Sequence, residues 1–173
     1  DEDNDTDNAG GMGGSNRKGR MTIIHFDLKP ANILFDEVGD VKITDFGLSK
    51  IIDDTNEGTT MELTSQGAGT YWYLPPEVFA TGSEAPRISS KVDVWSAGII
   101  FYQMLYGKRP YGDNVTQDRI WKDNLIGNAG DVVFHATPKV SDEAKDLIRQ
   151  CLTRDPRARP DVVAVCQHPY LNK

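Results

Sequence analysis

A chain of 173 residues with 38% hydrophobic content can bury one substantial core, so one folded unit plus a tail is expected. The net charge of −7 and an isoelectric point near 4.9 exclude a general nucleic-acid-binding surface, which needs clustered Lys and Arg against phosphate. No apolar run approaches the length of a membrane span, and the first residues carry neither the basic start nor the apolar stretch of a signal peptide.

Residues 1–20 run from acidic (Asp1, Glu2, Asp3, Asp5, Asp7) through Gly-rich (Gly10 to Gly14) to basic (Arg17, Lys18, Arg20). With almost nothing apolar, this segment cannot offset its ordering entropy and is expected to be disordered. Its glycines do not make a phosphate loop: no strand precedes them, and Asn16 falls where the last Gly of G-x-G-x-x-G belongs. The expectation is a linker or loop insertion over 1–20 and the folded unit over 21–173.

From Met21 the pattern turns strand-like. Ile33-Leu34-Phe35, the turn Asp36 to Asp40 and Val41-Lys42-Ile43-Thr44 predict a short hairpin. It is flanked by His25-Phe26-Asp27-Leu28-Lys29-Pro30-Ala31-Asn32 on one side and Asp45-Phe46-Gly47 on the other. Ile51 to Gly69 is polar and rich in Thr, Gly and Asp, and reads as a mobile loop. Val92 to Leu105 is apolar nearly all round, as a buried central helix should be. Asp142 to Leu152 has amphipathic spacing with Ser141 as its cap, and Pro160 to Leu171 reads as another short helix. The expected fold is mainly α with a small β hairpin near the active edge, an α+β lobe.

The residues around the hairpin carry a chemistry. In-line phosphoryl transfer needs a carboxylate to accept the proton of the attacking hydroxyl, oxygen ligands for magnesium, and positive charge beside the migrating group. Asp27 fits the base, Asn32 and Asp45 the metal ligands, and Lys29 the charge. A lone Asp-Phe-Gly is a frequent turn tripeptide with little meaning. Its weight comes from the hairpin that joins it to Asp27 and from the later Gly69-Thr70, Pro76-Glu77 and Asp93-Val94-Trp95-Ser96. His135 and His168 have no paired ligands and read as surface or helix-packing residues. Trp72, Trp95 and Trp121 read as packing groups, and Cys151 and Cys166, which lack metal-binding spacing, as free thiols of a reducing, intracellular compartment.

On these motifs, residues 21 to 171 resemble the C-terminal lobe of a eukaryotic protein kinase; of the pattern H-R-D-L-x-x-x-N only Phe26 departs. The resemblance implies ATP and Mg2+ as cofactors and a protein substrate, with no nucleic acid or membrane partner. It implies Asp27, Lys29 and Thr70 as catalytic residues, Leu34, Asn32 and Asp45 at the nucleotide, and Asn32 and Asp45 on the metal. It makes His25 and Phe46 members of a stacked apolar spine, with Asp93 holding the His25-Phe26 backbone from the central helix and Gly47 a structural residue, and it pairs Glu77 with Arg159 in a buried ion pair. Lys29 with Thr70 favours Ser/Thr acceptors. In many kinases an Arg at the position of Phe26 binds a phosphate on the activation loop, so activity here is expected not to need that lock. The loop acceptors are Thr55, Thr59, Thr60, Thr64 and Ser65, and any phosphate there would turn to Lys50 or Arg87. Ala31 and Gln103 stand where kinases that select basic residues carry acids, so no such selection is expected.

Four stretches, Ile24 to Pro30, Gly69 to Glu77, Gly107 to Gly112 and Ala136 to Ser141, resemble the tousled-like kinases. That resemblance implies a nuclear Ser/Thr kinase acting on a histone chaperone during chromatin assembly. No candidate exists for the Gly-rich phosphate loop, the β-strand Lys or the helix Glu of a whole kinase domain. The N-terminal lobe is therefore expected to be absent and the chain a fragment that by itself binds MgATP weakly and shows no measurable kinase activity. The alternative is a catalytically inactive scaffold or binding module that keeps only the substrate-facing lobe.

Overall fold

The computed structural model describes residues 21–53, 60–63 and 67–172; the segment 1–20 and the acceptors Thr55, Thr59, Thr64 and Ser65 lie outside the described residues. Helix α1, Lys91–Tyr106, is the axis of the fold. It buries Val92, Val94, Trp95, Ser96, Gly98, Ile99, Ile100 and Tyr102, which take up all of its circumference but one side, and that side is apolar too, with Ala97 and Met104 exposed, so its sequence shows no polar stripe. It stops where Gly107 adopts φ 69° and returns its N–H to the Gln103 carbonyl, a left-handed cap that glycine takes without steric cost.

Around α1 lie α2 (Gln117–Lys122), α3 (Leu125–Asn128), α4 (Asp142–Cys151) and α5 (Val162–Cys166). Helix α4 is amphipathic as read: Ala144, Leu147, Ile148 and Cys151 are buried, and Ser141 Oγ accepts the Ala144 N–H at 3.2 Å. Its contact with α1 is close. A Cβ added at Gly98 would lie 2.7 Å from Cys151 Cβ and 2.9 Å from Leu152 Cδ2. Alanine would add up to about 1 kcal/mol of helix propensity there, but overpacking a filled core costs about 1–3 kcal/mol. Gly98→Ala is therefore expected to lower the melting temperature, and a melting curve at or above that of the native chain would show that the two helices can separate freely.

Two expectations need correction. The stretch 51–69 is not simply a loop: β4 (Lys50–Asp53) pairs antiparallel with β1 (Met21–Ile24), Ile24 opposite Lys50, and β5 (Met61–Glu62) pairs with β6 (Arg87–Ile88). These strands are too short to show alternation, and their partners are distant in sequence, so local composition could not reveal them. With the hairpin of β2 (Ile33–Phe35) and β3 (Val41–Ile43), the described residues form three two-stranded sheets where one was expected. Helix α5 is also shorter than Pro160 to Leu171: it begins after Asp161, whose side chain accepts the Ala164 N–H, and ends at Cys166, three residues before Pro169.

One apolar core joins Ile24, Phe26, Leu74, Val78, Ile88, Trp95, Ile99, Ile120, Ile126 and Ile148. His168 belongs to the packing, as expected: it is buried, its Nε2 lies 3.0 Å from Asp146 Oδ2, and its Nδ1 accepts the Tyr170 N–H. Cys151 is buried in α4, which pushes its thiol pKa up to about 11 and leaves it chemically quiet; Cys166 is exposed. Among the described residues no helix is long and apolar enough to cross a membrane.

Candidate active site

The site is built on backbone that its own side chains would not choose. Phe26 and Asp45 are non-glycine residues with φ of 67° and 61°, left-handed conformations that cost about 1–2 kcal/mol for an L-residue. Such geometry persists only where its surroundings over-determine it. For Phe26 the determinant is Asp93 on α1, whose two carboxylate oxygens accept the His25 N–H at 2.7 Å and the Phe26 N–H at 3.0 Å. Burial pushes the Asp93 carboxyl pKa above its usual value, against the pull of those two N–H groups. The central helix thus fixes the segment that presents Asp27.

His25 ties that segment to Asp45. Its Nδ1 accepts the Asp27 N–H at 3.3 Å, so Nε2 carries the proton and donates it to the Thr44 carbonyl at 2.9 Å. The His25 ring meets the Phe46 ring edge-on, centroids 4.9 Å apart. From the other side, Thr44 donates its N–H and its hydroxyl to the Asn32 carbonyl at 2.9 and 3.3 Å. Asn32 and Asp45 therefore flank one hydrogen-bonded junction at the base of the β2–β3 hairpin.

Asp27 is 7% exposed and surrounded by donors. Lys29 Nζ stands 2.6 Å from Oδ2, the Thr70 hydroxyl donates to Oδ1 at 2.7 Å, and Asn32 Nδ2 donates to Oδ2 at 3.3 Å. Lys29 also donates to Thr70 Oγ1 at 3.1 Å, closing a ring of three side chains. Burial alone would push the Asp27 carboxyl pKa up, but the Lys29 and Thr70 hydrogen bonds, the Lys29 charge and the Asn32 amide together hold it below the usual carboxylate value. The group is an ionised acceptor at neutral pH.

The residues read as metal ligands suit magnesium. Asn32 commits its amide nitrogen to the Asp27 carbonyl at 2.9 Å and to Oδ2, and among the described residues its Oδ1 takes no hydrogen bond. Asp45 is exposed, with one carboxylate oxygen accepting the Gly47 N–H at 3.3 Å. One neutral and one charged oxygen ligand is a hard donor set, fit for an ion that keeps waters and takes further oxygens from phosphate. No cluster of three or more His, Cys, Asp or Glu among the described residues offers a rival cage. Leu34 stands apart from this group, half exposed on β2 and paired across the hairpin with Lys42.

Glu77 and Arg159 meet as expected, at 2.8 and 3.0 Å in a bidentate pair. Arg159 is fully buried, its guanidinium 5.1 Å from the Trp95 ring centroid and also bonded to the carbonyls of Thr153, Lys91 and Arg154. The pair anchors the turn Pro76–Phe79 and, through it, the segment carrying Thr70. Phe26, where many kinases have Arg, is wholly buried with Lys50 Nζ 5.6 Å from its ring centroid. Thr60 accepts from Arg87 Nε at 2.8 Å, so one loop acceptor already sits on a cation named from sequence.

Sequence reasoning missed the braces behind Thr70. Ser96 Oγ donates to the Tyr73 carbonyl at 2.7 Å, Gln117 Oε1 accepts the Tyr71 N–H at 2.8 Å, and Arg109 lies over Trp72. Their partners are many residues away along the chain, and no local pattern marks them.

A helical lobe that holds an ionised carboxylate against a lysine and a threonine, beside the side-chain oxygens of Asn32 and Asp45, is the kind of edge a protein kinase presents. The chain belongs to the protein kinase family, whose domain model (Protein kinase domain) matches residues 19–171. Serine/threonine-protein kinase TOUSLED of Arabidopsis thaliana is 59% identical over 155 residues, covering 89% of this chain and 22% of that protein. Tousled-like 1 of Homo sapiens is 56% identical over 153 residues (86% and 20%), and tousled-like 1 of Caenorhabditis elegans 52% over 151 residues (84% and 15%). The chain thus spans about a fifth of the length of the relatives it matches.

Proposed function

We propose that the protein is a serine/threonine protein kinase that transfers the γ-phosphoryl group of ATP to a protein hydroxyl. The observation that carries this reading is the ring of Asp27, Lys29 and Thr70, in which a buried carboxylate is kept ionised and held in place by two donors. In the reaction Asp27 orients the acceptor hydroxyl and takes its proton. Lys29 holds a positive charge beside that carboxylate, where the phosphoryl group must pass. Asn32 fixes Asp27 through its amide, and its oxygen, with the Asp45 carboxylate, would hold magnesium. When bound, the metal neutralises charge on the phosphates. Thr70 hydrogen-bonds the base while the site is free and lines the place of the acceptor, which suits a short Ser or Thr hydroxyl.

The likeness to tousled-like kinases supports a finer reading, a nuclear enzyme whose substrate is a histone chaperone. The buried Phe26 supports a loop held by packing in place of a phosphate-bound arginine. Transfer of label from ATP to Ser, Thr and Tyr peptides by the intact native protein tests the main reading. Label is expected on Ser and Thr and only with magnesium. Asp45→Asn is expected to weaken magnesium-dependent nucleotide binding by more than about a hundredfold, since even outer-shell partners of a metal are worth about 10- to 100-fold. Nucleotide binding without transfer, or transfer independent of magnesium, would refute the proposal.

A further inference from the structure

Arg109 is placed as a substrate-reading residue would be, and beyond its stack on Trp72 and its pairing with Asp113 the described structure makes no use of it. Its guanidinium lies 4.4 Å from the Trp72 ring centroid, in the segment that directly follows Thr70. Trp72 is itself fixed by donating Nε1 to the Val115 carbonyl at 2.9 Å, so the stack is a rigid platform. Among the described residues none of the guanidinium N–H groups makes a hydrogen bond, and Nε is a buried donor with no acceptor. The acid beside it is Asp113, 3.6 Å from Nε; that carboxylate already accepts the Arg109 backbone N–H and an Asn114 amide N–H. An arginine with five donors and one loose, shared counter-charge is incompletely satisfied.

The charge also lies near the reaction, because Trp72 follows Thr70 by two residues and the Thr70 hydroxyl rests on Asp27. Burial pushes the Tyr73 phenol pKa up, and the charges of Arg109 and Lys29, with the Gln103 hydrogen bond, oppose it. Tyr73 OH donates to Gln103 Oε1 at 2.9 Å, so that junction carries no negative charge. A polypeptide with its hydroxyl at Asp27 must run past the Thr70–Tyr73 segment. There it meets an arginine whose guanidinium donates no hydrogen bond among the described residues and whose one nearby acid, Asp113, stands 3.6 Å from Nε.

Resting on the kinase reading above, we propose that Arg109 selects an acidic side chain of the substrate, an Asp or Glu a few residues from the acceptor, which completes the guanidinium through a bidentate ion pair. A carboxylate supplies the two acceptor oxygens that the Arg fork lacks, and a phosphate already on the substrate would satisfy the same fork.

The test is a positional library of Ser/Thr peptides, with Asp, Glu, phosphoserine, Gln or Lys varied at each flanking site, phosphorylated by the intact native protein. The readout is the ratio of kcat/KM for the acidic and Gln peptides within each variant, which cancels general damage to the enzyme. The native protein is expected to favour Asp or Glu about tenfold at one position, a ratio in the range of a close, partly desolvated charge pair. Arg109→Lys should keep the preference in reduced form, Arg109→Ala should bring the ratio to about one, and Arg109→Glu should reverse it toward Lys. No acidic preference, or one that survives Arg109→Glu, overturns this inference and leaves the kinase reading standing. Phosphoserine favoured with no response to Asp or Glu would overturn the carboxylate assignment. No transfer to any peptide would overturn both.

Discussion

Asp27→Asn in the intact protein is expected to lower kcat by about 10²–10⁴-fold, the usual worth of a positioned general base, with little change in the melting curve. Asparagine has the same shape, so the Asn32 and backbone contacts survive. Lys29, now 2.6 Å from a neutral amide, loses its counter-charge, and the acceptor hydroxyl loses its proton acceptor. The pH dependence follows from the same ring. Because the carboxyl pKa is held below its ordinary value of 3.8, activity that needs the ionised form is retained down to the acid edge of stability and is lost only as pH falls through that depressed value. The stability Asp27 contributes has the same sign: it is complete above the unfolded value of 3.8 and disappears below it. Steady-state kinetics from neutral to acid pH, with melting curves alongside, measure both effects. A variant that keeps kcat within tenfold of native would remove Asp27 from the base role.

The largest stability effect is expected at the ion pair behind the site. Arg159→Ala and Glu77→Ala should each destabilise the fold by about 3–5 kcal/mol, because removing one member of a buried pair strands the other. Arginine loss should be the worse of the two. It leaves Glu77 without a cation, deprives the Thr153, Lys91 and Arg154 carbonyls of their donor, and opens space beside the Trp95 ring. A paired replacement, Glu77→Leu with Arg159→Met, should cost far less than the sum of the single changes, since well-packed apolar residues can replace a buried pair nearly evenly. Denaturant unfolding of the four proteins decides this. Strictly additive losses, or single losses under about 1 kcal/mol, the range of exposed pairs, would mean that the two charges do not depend on each other.

The two predictions differ in how they could be read from the chain. Asp27, Lys29 and Asn32 lie within a few residues of one another, so their chemistry is a local pattern, and the hairpin after them shows its turn and its strands in the residue types themselves. Helix α1 was legible because a run apolar on every side has few uses other than as a buried axis. Ser141 was legible because a cap acts three residues away. Propensity, periodicity and capping are short-range, and a single sequence displays them directly.

Whatever depends on a distant partner was decided by the tertiary structure. The stretch 51–69 is polar enough to read as loop, yet Lys50–Asp53 becomes a strand because Met21–Ile24 offers it a free edge, and Met61–Glu62 does so because Arg87–Ile88 lies alongside. The left-handed backbone of Phe26 exists because Asp93, far along the chain on α1, takes its N–H. The ionised state of Asp27 is set by Thr70 as well as by the neighbouring Lys29, and the open guanidinium of Arg109 by the Trp72 platform. In each case the energy comes from pairing groups that only the packed chain brings within reach. The sequence alone determined which chemistry was present; packing against α1 decided its geometry, its charge state and the residues around it.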